Sequence, residues 1–225
     1  MTRRMFISGA HTDVGKTYAA CAILQAARAK GLTALALKPV VSGFDPDDWA
    51  QSDPGRLLAA LGRPLTPETL DAISPLRFTA ALSPPMAARL EGYDLRLAQL
   101  TDFCRRGLAA STADLTLVEG VGGVMSPIAE DATGLDLMLA LDLPTVLVGG
   151  SYLGAISHTL TAIETLRGRG LPIHAVVISQ SAEPDAPDFA QSVESVAAFA
   201  GDVRVIAAAR DDQDWAAPIL EDRAL

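Results

Sequence analysis

The chain has 225 residues, 49% hydrophobic and 20% charged, enough apolar material for a large core and too much for a disordered polar chain. Its net charge of −9 argues against nucleic acid as a partner, because such proteins carry a basic face. Cys21 and Cys104 are far apart with no CxxC between them, which predicts free thiols in a reducing cytoplasm, and the spacing of the three histidines matches no zinc site.

Residues 5–8 read as a buried strand that meets a turn at Gly9. Residues 16–30 are strong helix formers that stop at Gly31, and residues 32–38 form a second strand closed by Pro39. A strand–helix–strand unit of this kind implies parallel pairing. Residues 44–75 are rich in Asp, Pro and Ser and predict a loop, a short helix over 56–61, and another loop. A short helix is expected over 84–90 and a longer one over 94–110, where Leu95, Leu97, Leu100, Phe103, Cys104 and Leu108 form an apolar stripe. Residues 115–118 are a continuous apolar strand ending at Glu119, followed by the turn Gly120-Val121-Gly122-Gly123.

Further on, the pattern predicts a helix over 133–141, a strand over 145–148, a helix over 154–169, a strand over 173–179, a helix over 189–200 and a last strand over 203–206. The tail after Arg210 is acidic and gives no pattern. The apolar region 135–156 is broken by Asp136, Asp142, Pro144 and Gly149-Gly150, so it does not read as a membrane span, and the N-terminal apolar run is too short for a signal-peptide core. Alternating helices and continuously apolar strands predict one α/β domain over 1–225, its mainly parallel sheet covered by helices on both faces. Ligands of such sheets bind beyond the carboxyl ends of the strands.

The chemistry begins there. Ala10-His11-Thr12-Asp13-Val14-Gly15-Lys16-Thr17 fits the Walker A pattern with alanine at its first position, and it has the strand before and the helix after that the motif requires. Backbone amides at such a junction surround phosphate oxygens, Lys16 can reach the β- and γ-phosphates of ATP, and the Thr17 hydroxyl can ligate Mg2+. Glu119 stands where a second, metal-side acid is expected. Lys38 ends a neighbouring strand, where a cation can neutralise charge on a transferred phosphoryl group. Any of Asp45, Asp47, Asp48 and Asp53 can reach the metal, and the pattern does not choose among them.

Several segments together resemble the dethiobiotin synthetases: residues 9–17, then Lys38-Pro39-Val40-Val41-Ser42-Gly43, Ser52-Asp53, residues 118–123, and Leu153-Gly154-Ala155-Ile156-Ser157-His158. The Lys-Pro-Val-x-Ser-Gly run is the specific element, since a Walker A loop alone is shared by many ATPases. The resemblance implies a P-loop NTPase-like fold and an ATP- and Mg2+-dependent ring closure of 7,8-diaminopelargonate with CO2. A substrate amine becomes a carbamate, the carbamate takes the γ-phosphate, and the second amine closes the urea ring. No nucleophilic triad is needed, and none is visible.

By the same resemblance, Lys38 and Lys16 are catalytic, and Thr17, Asp53 and Glu119 hold the metal. The nucleotide also meets Asp13, Val14, Gly15 and Tyr18, then Gly120, Val121 and Gly122, then Ser179 and Gln180. Thr12, Ser42 and Gly123 meet the diamine. Gly154, Ala155, Ile156 and Ser157 receive its carboxylate across a homodimer interface. The chain departs from the family pattern at His11 and Asp13, where Asp and Glu are usual. It departs again at Ser157, usually Asn, at Ser179-Gln180, usually Asn-Asp, and at Ala207-Ala208-Ala209-Arg210, usually a proline-containing segment.

Two other readings compete. A partitioning or localisation ATPase of the same fold most often carries a lysine near position 11 and a DNA- or lipid-binding surface; this chain has His11 and no basic face. An amidotransferring synthetase needs a nucleophilic cysteine, and Cys21 and Cys104 both fall in helical patterns.

Overall fold

The computed structural model describes residues 2–212 and 214–221, so the last four positions of the acidic tail lie outside the described residues. The chain opens with β1 (Arg3–Gly9) and α1 (Lys16–Ala29), followed by β2 (Ala34–Leu37) and the short β3 (Val40–Ser42). Then come α2 (Asp53–Ala60), α3 (Pro67–Ile73), β4 (Leu76–Phe78), α4 (Pro84–Leu90) and α5 (Leu97–Ala110). The second half runs β5 (Leu115–Glu119), a small hairpin of β6 (Pro127–Ala129) and β7 (Ala132–Thr133), α6 (Gly134–Leu141), β8 (Thr145–Gly150), α7 (Ala155–Gly168), β9 (Ile173–Ser179), α8 (Phe189–Phe199) and β10 (Val205–Ala208).

The main sheet has six strands in the order β10-β9-β8-β1-β5-β2, and every pair is parallel. Successive strand residues point to opposite faces, and both faces are covered, so each strand feeds two cores. Met5 and Ile7, Leu115 and Leu117, and Val146 and Val148 pack with Ile23 and Leu24 of α1, Leu57 and Leu58 of α2, and Leu70 and Ile73 of α3. Phe6, Val118, Leu147 and Val176, one step out of phase, pack with Leu100 and Cys104 of α5, Leu135 and Met138 of α6, Ile163 and Leu166 of α7, and Val196 of α8. Among the described residues no helix is long and apolar enough to cross a membrane.

Three features of the packing position the site. β1 lies between β5 and β8, so the chain's first loop opens at the middle of the sheet's carboxyl edge. α5 lies close on β2 because Gly107 has no side chain: a Cβ there would stand 2.7 Å from Leu37 Cδ1. α2 begins in a tight turn where the Ser52 hydroxyl accepts the Gly55 N–H and donates to the Trp49 carbonyl at 2.6 Å. A Cβ on Gly55 would sit 1.9 Å from that same carbonyl oxygen, so only glycine lets α2 start at Asp53 in this place.

The expected elements are all present, with ends moved by a few residues. The region 44–75 holds more structure than expected, since α3 folds where a loop was predicted and β4 follows it. Thr66 and Thr69 form a reciprocal cap at the start of α3, with threonine in place of the usual acidic or amide residue, which hides the signal.

Candidate active site

The loop after β1 is tightly wound. A Cβ on Gly9 would come within 2.8 Å of the His11 carbonyl, Asp13 takes a left-handed backbone at φ 59°, and Gly15 does so at φ 93°. A Cβ on Gly15 would also meet Ser179 Oγ at 2.8 Å, so that position is closed to any other residue both by its backbone and by its neighbour. No side chain caps the start of α1 at Gly15, which leaves first-turn amides free for an anion.

Lys16 is 7% exposed and its Nζ donates to the His11 carbonyl at 3.3 Å. Burial first, and then the nearby Lys38 ammonium, pull its pKa down to about 8. From there up to the ordinary lysine range the folded chain holds fewer protons than the unfolded one. Keeping Lys16 charged and buried therefore costs stability in full below about pH 8, and that cost shrinks as pH rises. Ligand binding carries the opposite sign, because a phosphate needs the ammonium. Affinity for a nucleoside diphosphate, measured by calorimetry without divalent cation, is expected to fall as pH climbs through about 8, with proton uptake on binding. A flat profile with no proton uptake would remove Lys16 from the phosphate site.

Below the loop, the ends of β2 and β5 and the start of α2 meet at one buried ammonium, and α1 reaches the carboxylate beside it. β2 pairs with β5 in a register that sets Leu37 against Val118, so the next residues, Lys38 and Glu119, leave the sheet side by side. Lys38 Nζ donates to Glu119 Oε1 at 2.6 Å, to Asp53 Oδ2 at 2.9 Å and to the Gly120 carbonyl at 2.9 Å. The Thr17 hydroxyl donates to the same Glu119 Oε1 at 2.7 Å. Lys38 and Glu119 are each 1% exposed, whereas the Asp53 side chain is 38% exposed. Burial alone would lower the Lys38 pKa, but Glu119 and then Asp53 raise it above the usual lysine range. Burial would raise the Asp53 pKa, and Lys38 reverses that and holds it below the usual carboxylate range. Glu119 Oε2 is buried and has no hydrogen-bond partner among the described residues.

Asp53 is thereby singled out from the other three acids of its loop. Asp45, Asp47 and Asp48 sit in an exposed turn, where Asp45 accepts the Asp47 N–H at 2.9 Å.

A cleft of about 530 Å³ runs along the loop, lined by Asp13, Val14, Gly15, Tyr18, Ser179 and Gln180 of the expected nucleotide set. Arg56 of α2, Tyr152 after β8, Ser181 and Glu183 after β9 and Arg210 after β10 also line it, and no motif pointed to them, since they come from separate parts of the chain. Arg210 clasps Gln180: its N–H donates to Gln180 Oε1 at 2.9 Å and its Nε to the Gln180 carbonyl at 3.2 Å. Trp215 Nε1 donates to the Tyr18 hydroxyl at 3.1 Å.

Thr12 and Gly123 line a separate hollow of about 440 Å³ on the other flank of the loop. There the His11 and His158 rings stack with centroids 5.2 Å apart, and His158 Nδ1 bonds the Tyr152 hydroxyl at 2.8 Å. The turn after β5 is fixed by the Gly120 N–H on the Ile7 carbonyl at 3.0 Å and the Gly123 N–H on Ser126 Oγ at 2.8 Å; between them, Val121 and a left-handed Gly122 at φ 67° carry the chain past Thr12. Ser42 ends β3, paired in register with Phe78, and lines neither hollow. Gly154, Ala155, Ile156 and Ser157 form the start of α7 beyond β8, where Gly154 is left-handed at φ 93° and no side chain caps the helix. Within one chain these four residues line neither hollow.

Burial pushes both thiols up to about 12, that of Cys21 on α1 and that of Cys104 on α5, so neither is a nucleophile. No group of three or more His, Cys, Asp or Glu converges among the described residues. Any metal here would rest on two carboxylates and a hydroxyl, leaving its other positions for phosphate oxygens and water.

A family model described as an AAA domain matches residues 3–215. The chain is 58% identical over 219 residues to the ATP-dependent dethiobiotin synthetase BioD of Phenylobacterium zucineum, covering 97% of this chain and 94% of that one. It is 51% identical over 220 residues to the protein of the same name from Caulobacter vibrioides, covering 98% of each. Among solved structures it is similar to the MinC:MinD cell division protein complex of Aquifex aeolicus, with a TM-score of 0.55 at 10% identity over 97% of this chain and 86% of that one. A ParA family ATPase from Chlorobium tepidum matches with a TM-score of 0.53 at 15% identity, over 97% and 90%. At such identities the two structures speak for the P-loop NTPase-like fold alone.

Proposed function

The chain belongs to the ATP-dependent dethiobiotin synthetase family, and from that premise we propose that it converts 7,8-diaminopelargonate, CO2 and ATP to dethiobiotin, ADP and phosphate. One substrate amine adds to CO2 and loses a proton, giving a carbamate. The carbamate oxygen attacks the γ-phosphorus and ADP leaves. The second amine then attacks the carbonyl carbon of the resulting mixed anhydride and expels phosphate, closing the ring. The nucleophiles all belong to the substrates, so the chain's task is to hold groups in place and offset charge.

In this reading the amides of the first loop and α1 hold the ATP phosphates, and Lys16 and Lys38 neutralise the carbamate and γ-phosphate oxygens. Mg2+ fits the acids present, because Glu119 Oε2 is a buried oxygen without a partner among the described residues, the Thr17 hydroxyl is bonded to the same carboxylate, and Asp53 shares the Lys38 ammonium with it. When bound, the metal offsets negative charge on the phosphate oxygens. The nucleoside lies in the cleft between Tyr18 and Ser179-Gln180; Val121 and Gly122, expected beside the nucleotide, do not line that cleft. Thr12, Ser42 and Gly123 contact the diamine.

The uncapped start of α7 binds the substrate's carboxylate, since free amides and the helix dipole favour an anion. It does so in a homodimer. That arrangement is supported by the separation of residues 154–157 from both hollows in a single chain and by the exposure of Leu153, at 87%, beside them. The whole works as one synthetase domain in the cytoplasm.

The observation that carries the proposal is the convergence of Lys38, Glu119, Asp53 and Thr17 beneath the phosphate loop. Supplying the diamine, bicarbonate and Mg-ATP should yield dethiobiotin, identified by mass. ATP turnover that ignores the diamine and responds to DNA or lipid would replace this reading with that of a partitioning ATPase.

A further inference from the structure

We propose that Lys38 itself occupies the divalent-cation seat of the nucleotide-free protein, so that metal loading and release of Lys38 toward the phosphates are a single exchange. The inference rests on the reading above in which Glu119 and Asp53 hold the metal.

An ammonium has three protons to donate and nothing else to offer. All three have an acceptor here: Glu119 Oε1, Asp53 Oδ2 and the Gly120 carbonyl, at 2.6 to 2.9 Å. In this arrangement Lys38 has no proton left for a phosphate or carbamate oxygen. It reaches one only by giving up a partner, and two of its three partners are the carboxylates a cation would bind.

The local charges balance before any cation arrives. Glu119 and Asp53 bring two negative charges, and Lys38 and Lys16 supply the local positive charge. A dication that entered while Lys38 remained, even at the unpartnered Glu119 Oε2, would stand against an ammonium bonded to the same two carboxylates, in a site where Lys38 and Glu119 are almost fully buried. The phosphates of an arriving nucleotide offer the displaced ammonium new acceptors and supply the negative charge that a dication requires. The chain therefore takes up its cation with or after the nucleotide. Lys38 is held away from water, and from any premature contact, until both have arrived. The Thr17 hydroxyl, which spends its proton on the same Glu119 Oε1, keeps its lone pairs for the cation throughout.

The test measures cation binding, with no turnover involved. Mn2+ is titrated into the nucleotide-free protein and free Mn2+ is followed by electron paramagnetic resonance. Wild type is expected to bind Mn2+ weakly. Lys38→Met, which keeps the length of the stem and removes the charge, is expected to bind it at least tenfold more tightly, and Lys38→Arg is expected to stay weak. Adding Glu119→Gln to Lys38→Met should abolish the gain. Should the Met variant fail to fold, Lys38→Gln is titrated in its place and read by the same criterion. Equal or weaker Mn2+ binding in the neutral variants, or tight binding by nucleotide-free wild type, overturns the proposal. The outcome is separate from the functional reading: dethiobiotin formation by wild type with no tightening in Lys38→Met would leave the activity and remove the lock.

Discussion

Lys38→Ala is expected to cut dethiobiotin formation by about a hundred- to a thousandfold or more, the cost of removing one preorganised charge from a phosphoryl-transfer site, while nucleotide still binds. The nucleotide cleft is built from the first loop, Tyr18 and Ser179-Gln180, none of which leans on Lys38. A stability effect comes with it. Glu119 would stay buried at 1% exposure without its ammonium, and orphaning one member of a buried ion pair costs about 3–5 kcal/mol. Thr17 remains as a donor to Glu119 and softens that loss. Turnover should therefore be compared at a temperature where melting curves show the variant folded, with nucleotide binding followed in parallel by calorimetry. Product formation close to wild type would remove Lys38 from the chemistry, and loss of nucleotide binding along with product would make its role architectural.

Glu119→Gln is expected to raise the Mg2+ concentration needed for half-maximal turnover by tenfold or more at saturating ATP. The amide presents one acceptor and one donor where the carboxylate presents two acceptors, so it either keeps the Lys38 and Thr17 bonds or offers an oxygen to a cation, but not both. The substitution also leaves Lys38 with Asp53 and the Gly120 carbonyl as its remaining partners, which lets burial draw its pKa back down. Titrating activity against Mg2+ at fixed ATP separates the two effects. A shifted midpoint with a preserved plateau marks a lost metal ligand; a lowered plateau at an unchanged midpoint marks damage to Lys38 alone. An unchanged metal dependence with full activity would take Glu119 out of the metal site.

The parts of this molecule that are local in sequence were readable in advance, and the parts that depend on register were not. The run from the first strand through Gly15-Lys16-Thr17 into α1 is contiguous, and so are α4 and β9, which end where the pattern says they should. The ion pair of Lys38 with Glu119 joins residues far apart in the chain, and it exists because Leu37 pairs with Val118 and not with a neighbour. Composition leaves Asp45, Asp47, Asp48 and Asp53 equivalent; the Trp49–Gly55 contact that fixes the start of α2 separates them. β3 and β4 escaped notice because each is short and the two pair with each other in a separate two-stranded sheet, flanked by Pro39 on one side and the Asp- and Pro-rich stretch on the other. The walls contributed by Tyr152, Ser181 and Arg210 meet only in three dimensions, so nothing along the chain marks them.

The central position of β1 has a consequence for how the protein is made. Its neighbours are fixed by the pairings of Met5 with Leu117 and Phe6 with Thr145, so β1 waits for strands made much later in the chain before either edge is satisfied. Closing such long loops slows folding, and until they close an apolar ribbon with open hydrogen-bonding edges stays available to other chains. Ser179, which stands beside Gly15 as one wall of the nucleotide cleft, belongs to β9, so that wall is added long after the loop itself has been made.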